Sequence, residues 1–376
     1  MAPAPEKLIA RRLAGIEISG IRRVSDLAQK LERPVNLSIG QPHFDVPESV
    51  KEAAITAIRA GHNRYTVTQG IAELREGVRQ QVTARAGWEP EAVMVTSGVS
   101  GWLLLALLVL VDPGDEVLIP DPYFVSYKQL VNLLGGVPRF VDTYPDFRLR
   151  RESLEAARGP LSKLLILNSP SNPTGVVYSA DELRAAAEFA REHGLFIISD
   201  EIYHDFVYDG PCHSPAEFTD HLLLLDGFSK SYAMTGWRVG YAAGPEPIIR
   251  EMVKLQQFSF VCAPAPMQQA ALAALGLPME QIGAEYRAKR DFIYEGLADC
   301  YQVTRPQGAF YIFPRVPFGT DEEFVTSAIE HNLLIIPGSV FSERHSHFRL
   351  SFAASNETLS EGVEMLRRWS QNGFPD

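Results

Sequence analysis

Through the middle of the chain the hydrophobic positions fall in short solid runs, separated by stretches in which polar residues recur. Val93–Thr96, Glu116–Ile119, Val137–Val141, Leu164–Leu167, Leu195–Ile198 and Leu222–Leu225 read as strands. They are too short for helices, and Leu164–Leu167, Leu195–Ile198 and Leu222–Leu225 are apolar throughout, the pattern of strands covered on both faces. Between several of them lie helical patterns such as Asp181–His193. One apolar helix opens at Ser97-Gly98-Val99-Ser100-Gly101 and ends at Asp112-Pro113-Gly114-Asp115. Strands alternating with crossover helices predict an α/β fold with a largely parallel sheet.

Either side of this block the pattern changes. Residues Ile16 to Ile39 combine helical patterning with an apolar strand, VNLSIG, that closes at Gly40; the turn-rich GQPHFDVP follows. Val50, Ala54, Ile55 and Ile58 predict an amphipathic helix over Glu48–Ala60, ended by Gly61. Then comes an irregular stretch around Tyr65 and a helix through Leu74 and Val78. From about Met279 a charged helical stretch, EYRAKRDFIYEGL, leads into QGAFYIFP, LLIIPG and HFRLSF, which read as a smaller α+β unit.

Size and composition narrow the function. A chain of 376 residues predicts two domains, and 46% hydrophobic with 22% charged residues is a globular composition. A net charge of −11 argues against a broad nucleic-acid or anionic-membrane surface. The longest apolar run, Trp102–Val111, is half of the ~20 residues a membrane span needs. Cys212, Cys262 and Cys300 form no metal-ligand or disulfide pattern, which fits a reducing compartment. MAPAPEKLIARRL has no apolar core of signal-peptide length. A cytoplasmic location without a metal is the expectation.

The chemistry gathers at strand ends, where open α/β sheets bind their ligands. After Leu222–Leu225, the turn Asp226-Gly227 presents Ser229 and Lys230, with Arg238 beyond a second bend at Thr235-Gly236. A lysine that can be neutralised suits imine formation with an aldehyde, and a permanently charged arginine suits a phosphate. An aldehyde and a phosphate on one molecule describe pyridoxal 5′-phosphate. The glycines of SGVSG let the backbone approach an anion at a helix N-terminus, although a plain strand-to-helix turn would look alike. In DPYFVSY, Tyr123 and Phe124 suit a flat ring or ordinary core packing. In NSPSNPTG, Asn172 suits an oxygen anion or an Asx-turn. Asp200 ends the apolar run LFIIS and needs a cationic partner such as a pyridinium, unless it is an N-cap. Tyr203 lies three residues on.

NSPSNPTG, SDEIYHDF, GFSKSYAMTGWRVG and HFRLSF, in this order, resemble the class I/II aminotransferases of the aspartate aminotransferase superfamily, fold-type I enzymes that use pyridoxal phosphate. The resemblance spans about Leu37 to Phe352. It implies a large domain over 46–280 with a mostly parallel seven-stranded sheet, and a small domain from 1–45 and 281–376. It implies that Lys230 holds the cofactor as a Schiff base and shuttles the substrate α-proton, and that Asp200 pairs with the pyridine nitrogen. Asn172 and Tyr203 would hydrogen-bond the ring oxygen, and Phe124 would stack on the ring. Gly98, Val99, Ser100, Ser229 and Arg238 would surround the phosphate. Tyr65 would reach the neighbouring subunit's phosphate, so a homodimer with shared sites is implied. Arg349 would clamp the substrate α-carboxylate with the Gly40 backbone and Asn172 nearby, unless it is an ordinary surface ion pair.

Two departures bear on the substrate. Gly227 stands where some relatives have a serine that contacts phosphate. Ser100 stands where one aspartate-specific branch has a lysine for the distal carboxylate, and SFVCAPAP adds Phe258, Phe260 and Val261 instead of charge. The expected reaction is ping-pong transfer between a neutral, apolar or aromatic amino acid and a 2-oxo acid. The alternatives on this scaffold are aspartate as donor, a C–S β-lyase, a decarboxylase or a cyclopropane-forming synthase. A cofactor-binding regulator would need a DNA-binding module, for which the stretch before the core leaves no room.

Overall fold

The structure is a computed structural model describing residues 4–29 and 31–375. Residues 1–3, 30 and 376, which fall in the N-terminal and C-terminal segments assigned above to the small domain, lie outside the described residues.

Among the described residues twelve strands are formed: β1 (Val35–Asn36), β2 (Ala92–Thr96), β3 (Glu116–Asp121), β4 (Val137–Asp142), β5 (Ser162–Asn168), β6 (Phe196–Asp200), β7 (Leu222–Gly227), β8 (Gly240–Gly244), β9 (Tyr311–Ile312), β10 (Leu333–Leu334), β11 (Ile336–Pro337) and β12 (Phe348–Ser351). Seven make the large sheet, in the order β2-β8-β7-β6-β5-β3-β4. All of its pairings are parallel except those of β8 with β2 and β7.

The solid apolar runs have a simple cause. Leu222 and Leu224 pack with Leu165, Leu167 and Ile197 on one face, under the Ala180–His193 helix. Leu223 and Leu225 pack with Leu164, Ile166 and Ile198 on the other, under the apolar Gly98–Leu110 helix. With helices on both faces, every position must be hydrophobic. The Ala180–His193 helix starts at a capping box of Ser179 with Glu182 and stops at Gly194, whose φ is 68°.

Strand β8 was not expected. Its sequence, GYAAG, lacks β-branched residues, but the site needs that smallness. A Cβ on Gly240 would lie 3.0 Å from the Gly98 carbonyl carbon, and one on Gly227 would lie 2.8 Å from the Gly240 α-carbon. A serine at 227 would therefore push β7 and β8 apart, which accounts for that departure.

A smaller α+β unit is built from both ends of the chain. The VNLSIG strand shrinks to β1, paired parallel with β10, and β11-β12-β9 form an antiparallel sheet. Ser351 N–H donates to the Leu37 carbonyl at 2.7 Å, drawing the segment after β1 alongside β12. Among the described residues no helix is long and apolar enough to cross a membrane.

Candidate active site

A cavity of about 470 Å³ opens at the carboxyl edge of the large sheet, beneath the small unit. The loops after β3, β5, β6 and β7 all reach it, bringing Phe124, Asn172, Tyr203 and Lys230 to one place. Parallel register does this: Asn168 is paired with Asp200, and Asp200 with Leu225. Asn168 fastens the edge, donating from its amide to the Asp200 carbonyl at 3.0 Å and accepting from Asn172 N–H at 2.9 Å.

Lys230 and Asp200 have the perturbed acidities expected of a reaction centre. Desolvation lowers the Lys230 pKa to about 8, with Arg349 and Arg238 adding to the effect and Asp200 resisting it. Its Nζ donates to the Gly40 carbonyl at 2.6 Å. Burial pushes Asp200 up to about 7 despite hydrogen bonds from the Tyr127 hydroxyl at 2.6 Å and Ile202 N–H at 3.3 Å. A buried carboxyl in this condition calls for a cationic N–H partner.

At the far end of the cavity, Ser97 and Gly98 begin the Gly98–Leu110 helix beside Arg238. Arg238 sits at φ 57° and donates to the Thr235 carbonyl at 2.9 Å, which holds the guanidinium against Gly98. A Cβ at Gly98 would run into that guanidinium, and its φ of 69° also favours glycine. Ser229 Oγ is buried nearby without a hydrogen-bond partner among the described residues. A helix N-terminus, a fixed arginine and a buried hydroxyl could together hold a phosphate.

Arg349, 1% exposed on β12, approaches from the small unit. Its Nη1 donates to Asn172 Oδ1 at 3.0 Å and its Nη2 to the Ser38 carbonyl at 2.8 Å, while Nε has no partner among the described residues. Its guanidinium lies 4.6 Å from the ring centroids of both Tyr311 and Phe341. This is a braced cation with donor capacity to spare for a carboxylate.

Behind the Lys230 loop lies a buried charge network. Arg85 meets Glu201 at 2.9 Å and Asp226 at 3.0 Å, and His204 meets Asp226 at 2.9 Å and Asp205 at 3.1 Å. Burial and Arg85 disfavour the imidazolium, but Asp226 and Asp205 outweigh them and lift His204 to about 10. Asp226 immediately precedes the Gly227–Lys230 turn, so the network anchors that turn.

The structure brings together Gly40, Val99, Ser100, Phe124, Asn172, Asp200, Tyr203, Ser229, Lys230, Arg238 and Arg349 around the cavity, with Gly98 against Arg238. Tyr65 is elsewhere, 82% exposed and facing Cys262–Pro266 on the outer surface. Phe258, Phe260 and Val261 are exposed and do not line this cavity. Tyr123 stacks on Phe140 and donates to Glu343 at 2.6 Å, so it is a packing residue. Sequence reading passed over Tyr127, Tyr311, Ile21 and Gln41, which also line the cavity, as does Thr235 of the predicted bend. Tyr127 had a signal, since it shares DPYFVSY with Phe124; Ile21 and Tyr311 arrive only through the small unit.

Comparison with known proteins gives a consistent picture. The family model for class I and II aminotransferases matches residues 32–366. A protein named probable aspartate aminotransferase from Methanocaldococcus jannaschii is 38% identical, the match covering 96% of this chain and 99% of that one. An aromatic-amino-acid aminotransferase from Thermococcus litoralis is 37% identical over 96% and 97% of the two chains. The solved structure of Thermus thermophilus aspartate aminotransferase with maleate superposes with a TM-score of 0.93 at 35% identity, covering 96% of this chain and 99% of that one.

Proposed function

The chain belongs to the class I and II aminotransferases, and from that membership we propose how its residues divide the work and which substrates they favour. It is a pyridoxal-phosphate-dependent transaminase of fold type I. The donor set fits the cofactor: a cradle for the phosphate, a buried carboxyl for the ring nitrogen, and a lysine beside them.

In this reading Gly98, Val99, Ser100, Ser229 and Arg238 hold the phosphate, and Phe124 packs on the ring. When bound, pyridoxal phosphate supplies an aldehyde that takes up the amino group and a ring that withdraws electrons. Asp200 accepts the ring N–H, and Tyr127 holds that carboxylate in place. Asn172 Oδ1 is occupied by Arg349, so its Nδ2 is the atom free to donate to the ring oxygen, together with the Tyr203 hydroxyl. Arg349 grips the substrate α-carboxylate beside Gly40. Lys230 Nζ carries the proton to and from the substrate α-carbon, and a lowered pKa suits it to act as a base near neutral pH.

The donor is a neutral amino acid, apolar or aromatic. The observation that carries this is the cation inventory: among the described residues the cations lining the cavity are Lys230, Arg238 and Arg349, each already assigned, and Ile21, Ile39 and Ser100 line it too. A distal carboxylate there would lose water and, among the described lining residues, gain no partner that is not already assigned. Relatives named for aspartate and for aromatic amino acids match about equally well, so similarity does not choose between them. The test is the ratio of half-reaction kcat/KM for phenylalanine, leucine, methionine and alanine against aspartate. We expect the best neutral donor to lead. Aspartate ahead tenfold, about 1.4 kcal/mol in transition-state binding, would overturn this choice.

The chain forms a homodimer in which the exposed Tyr65 reaches the partner's phosphate site, and its domains divide at 46–280 against 1–45 with 281–376. It works in the cytoplasm on amino acids and 2-oxo acids.

A further inference from the structure

Two tyrosines from different halves of the molecule meet over the cavity. Tyr203 follows β6 of the large sheet and Tyr311 opens β9 of the small one; they are 4% and 1% exposed. Their hydroxyls are 2.9 Å apart and their rings are edge-to-face at 85°. The Tyr311 hydroxyl also covers Gly40, where a Cβ would lie 2.7 Å from it. Among the described residues, Tyr203 is the hydrogen-bond partner recorded for the Tyr311 hydroxyl.

The hydroxyl contact is one hydrogen bond, and either oxygen could donate it. The other proton decides the direction. If Tyr203 donates into the cavity, its lone pair is left to accept, and Tyr311 must be the donor. If Tyr203 instead donates to Tyr311, it has no proton left for a ligand. We propose that Tyr311 is a positioning residue that donates to Tyr203, fixing the Tyr203 proton toward the cofactor ring oxygen and making it a stronger donor. This rests on the role given above to Tyr203. Cooperative polarisation along a hydrogen-bonded pair supplies the strengthening. The ring of Tyr311 has a separate task, as the surface under Arg349.

The two tasks separate in Tyr311→Phe, which keeps the ring and removes the hydroxyl. The experiment loads wild type, Tyr311→Phe, Tyr203→Phe and the double variant with pyridoxal phosphate and titrates the visible absorbance of the bound cofactor against pH. Donation to the ring oxygen stabilises its ionised form, so each single variant should raise the midpoint by about half to one pH unit. The double variant should sit no higher than Tyr203→Phe alone, because Tyr311 acts through Tyr203. A midpoint that moves in Tyr203→Phe but not in Tyr311→Phe overturns the proposal alone, as does full additivity in the double variant. An unmoved midpoint in Tyr203→Phe overturns the role of Tyr203 and this proposal with it. Should Tyr311→Phe fail to fold, 3-fluorotyrosine at 311, a more acidic donor, should lower the midpoint below wild type, and an unmoved value again overturns the proposal.

Discussion

Arg349 Nη1 donates to Asn172 Oδ1 at 3.0 Å, joining a strand of the small unit to the loop after β5 of the large sheet. That bond orients both partners. It holds one blade of the guanidinium in place and leaves the Asn172 amide nitrogen as a donor. On the proposed roles, a carboxylate gripped by Arg349 would lie beside the group that would hold the cofactor ring, with the substrate α-carbon toward Lys230.

Arg349→Lys should expose how much of this depends on the guanidinium. A lysine keeps the charge but cannot reach Asn172, the Ser38 carbonyl and a carboxylate together. Loss of one or two charge-assisted bonds predicts a fall in half-reaction kcat/KM of roughly 10- to 100-fold. Stopped-flow traces with a neutral donor would measure it; a change under threefold would remove Arg349 from the carboxylate site.

Lys230→Ala should abolish steady-state transamination and leave the fold intact. Lys230 has the depressed pKa and the cavity position of a reacting amine. Borohydride treatment of the cofactor-loaded variant should fix no adduct to the protein, as peptide mass spectrometry would show. Normal turnover with an adduct at another lysine would refute the assignment.

Asp200→Ala should retain the cofactor but lose most of its rate, because a neutral pyridine withdraws carbanion charge poorly. An N-alkylated cofactor analogue, whose ring charge needs no carboxylate, should restore part of the activity. An undiminished kcat in the variant would sink this role.

The buried network makes stability depend on pH with a defined sign. His204 is raised from an ordinary 6.5 to about 10. The folded state therefore binds the extra proton, and the stabilisation is complete below pH 6.5 and lost as pH climbs through 10. His204→Gln should destabilise the protein most near pH 6 to 7, with the gap from wild type closing toward pH 10. Urea midpoints at several pH values check this; a gap that is constant with pH would show that His204 is uncharged.

Local signals carry far in this chain. The solid runs at Leu164–Leu167 and Leu222–Leu225 announce a sheet covered on both faces, because each residue type answers to what lies directly above and below it. Strand β8 escapes this reading, since Gly240 is chosen for closeness to Gly98 and not for strand propensity. Phe124 was legible beside a strand end, whereas Tyr123, its neighbour, proved to be packing.

By itself the sequence determines the alternation of strands and helices, the strand-end clusters around Lys230, Asp200 and Asn172, and the family they resemble. These are properties of neighbours along the chain. Only the tertiary structure decided that Tyr127 holds Asp200, that Tyr311 meets Tyr203, and that Ser38 and Asn172 brace Arg349. Those pairs lie 73 to 311 residues apart. Each hydrogen bond depends on two backbones meeting to within a fraction of an ångström, which is set by packing of the small unit on the large sheet and leaves no local mark on either segment.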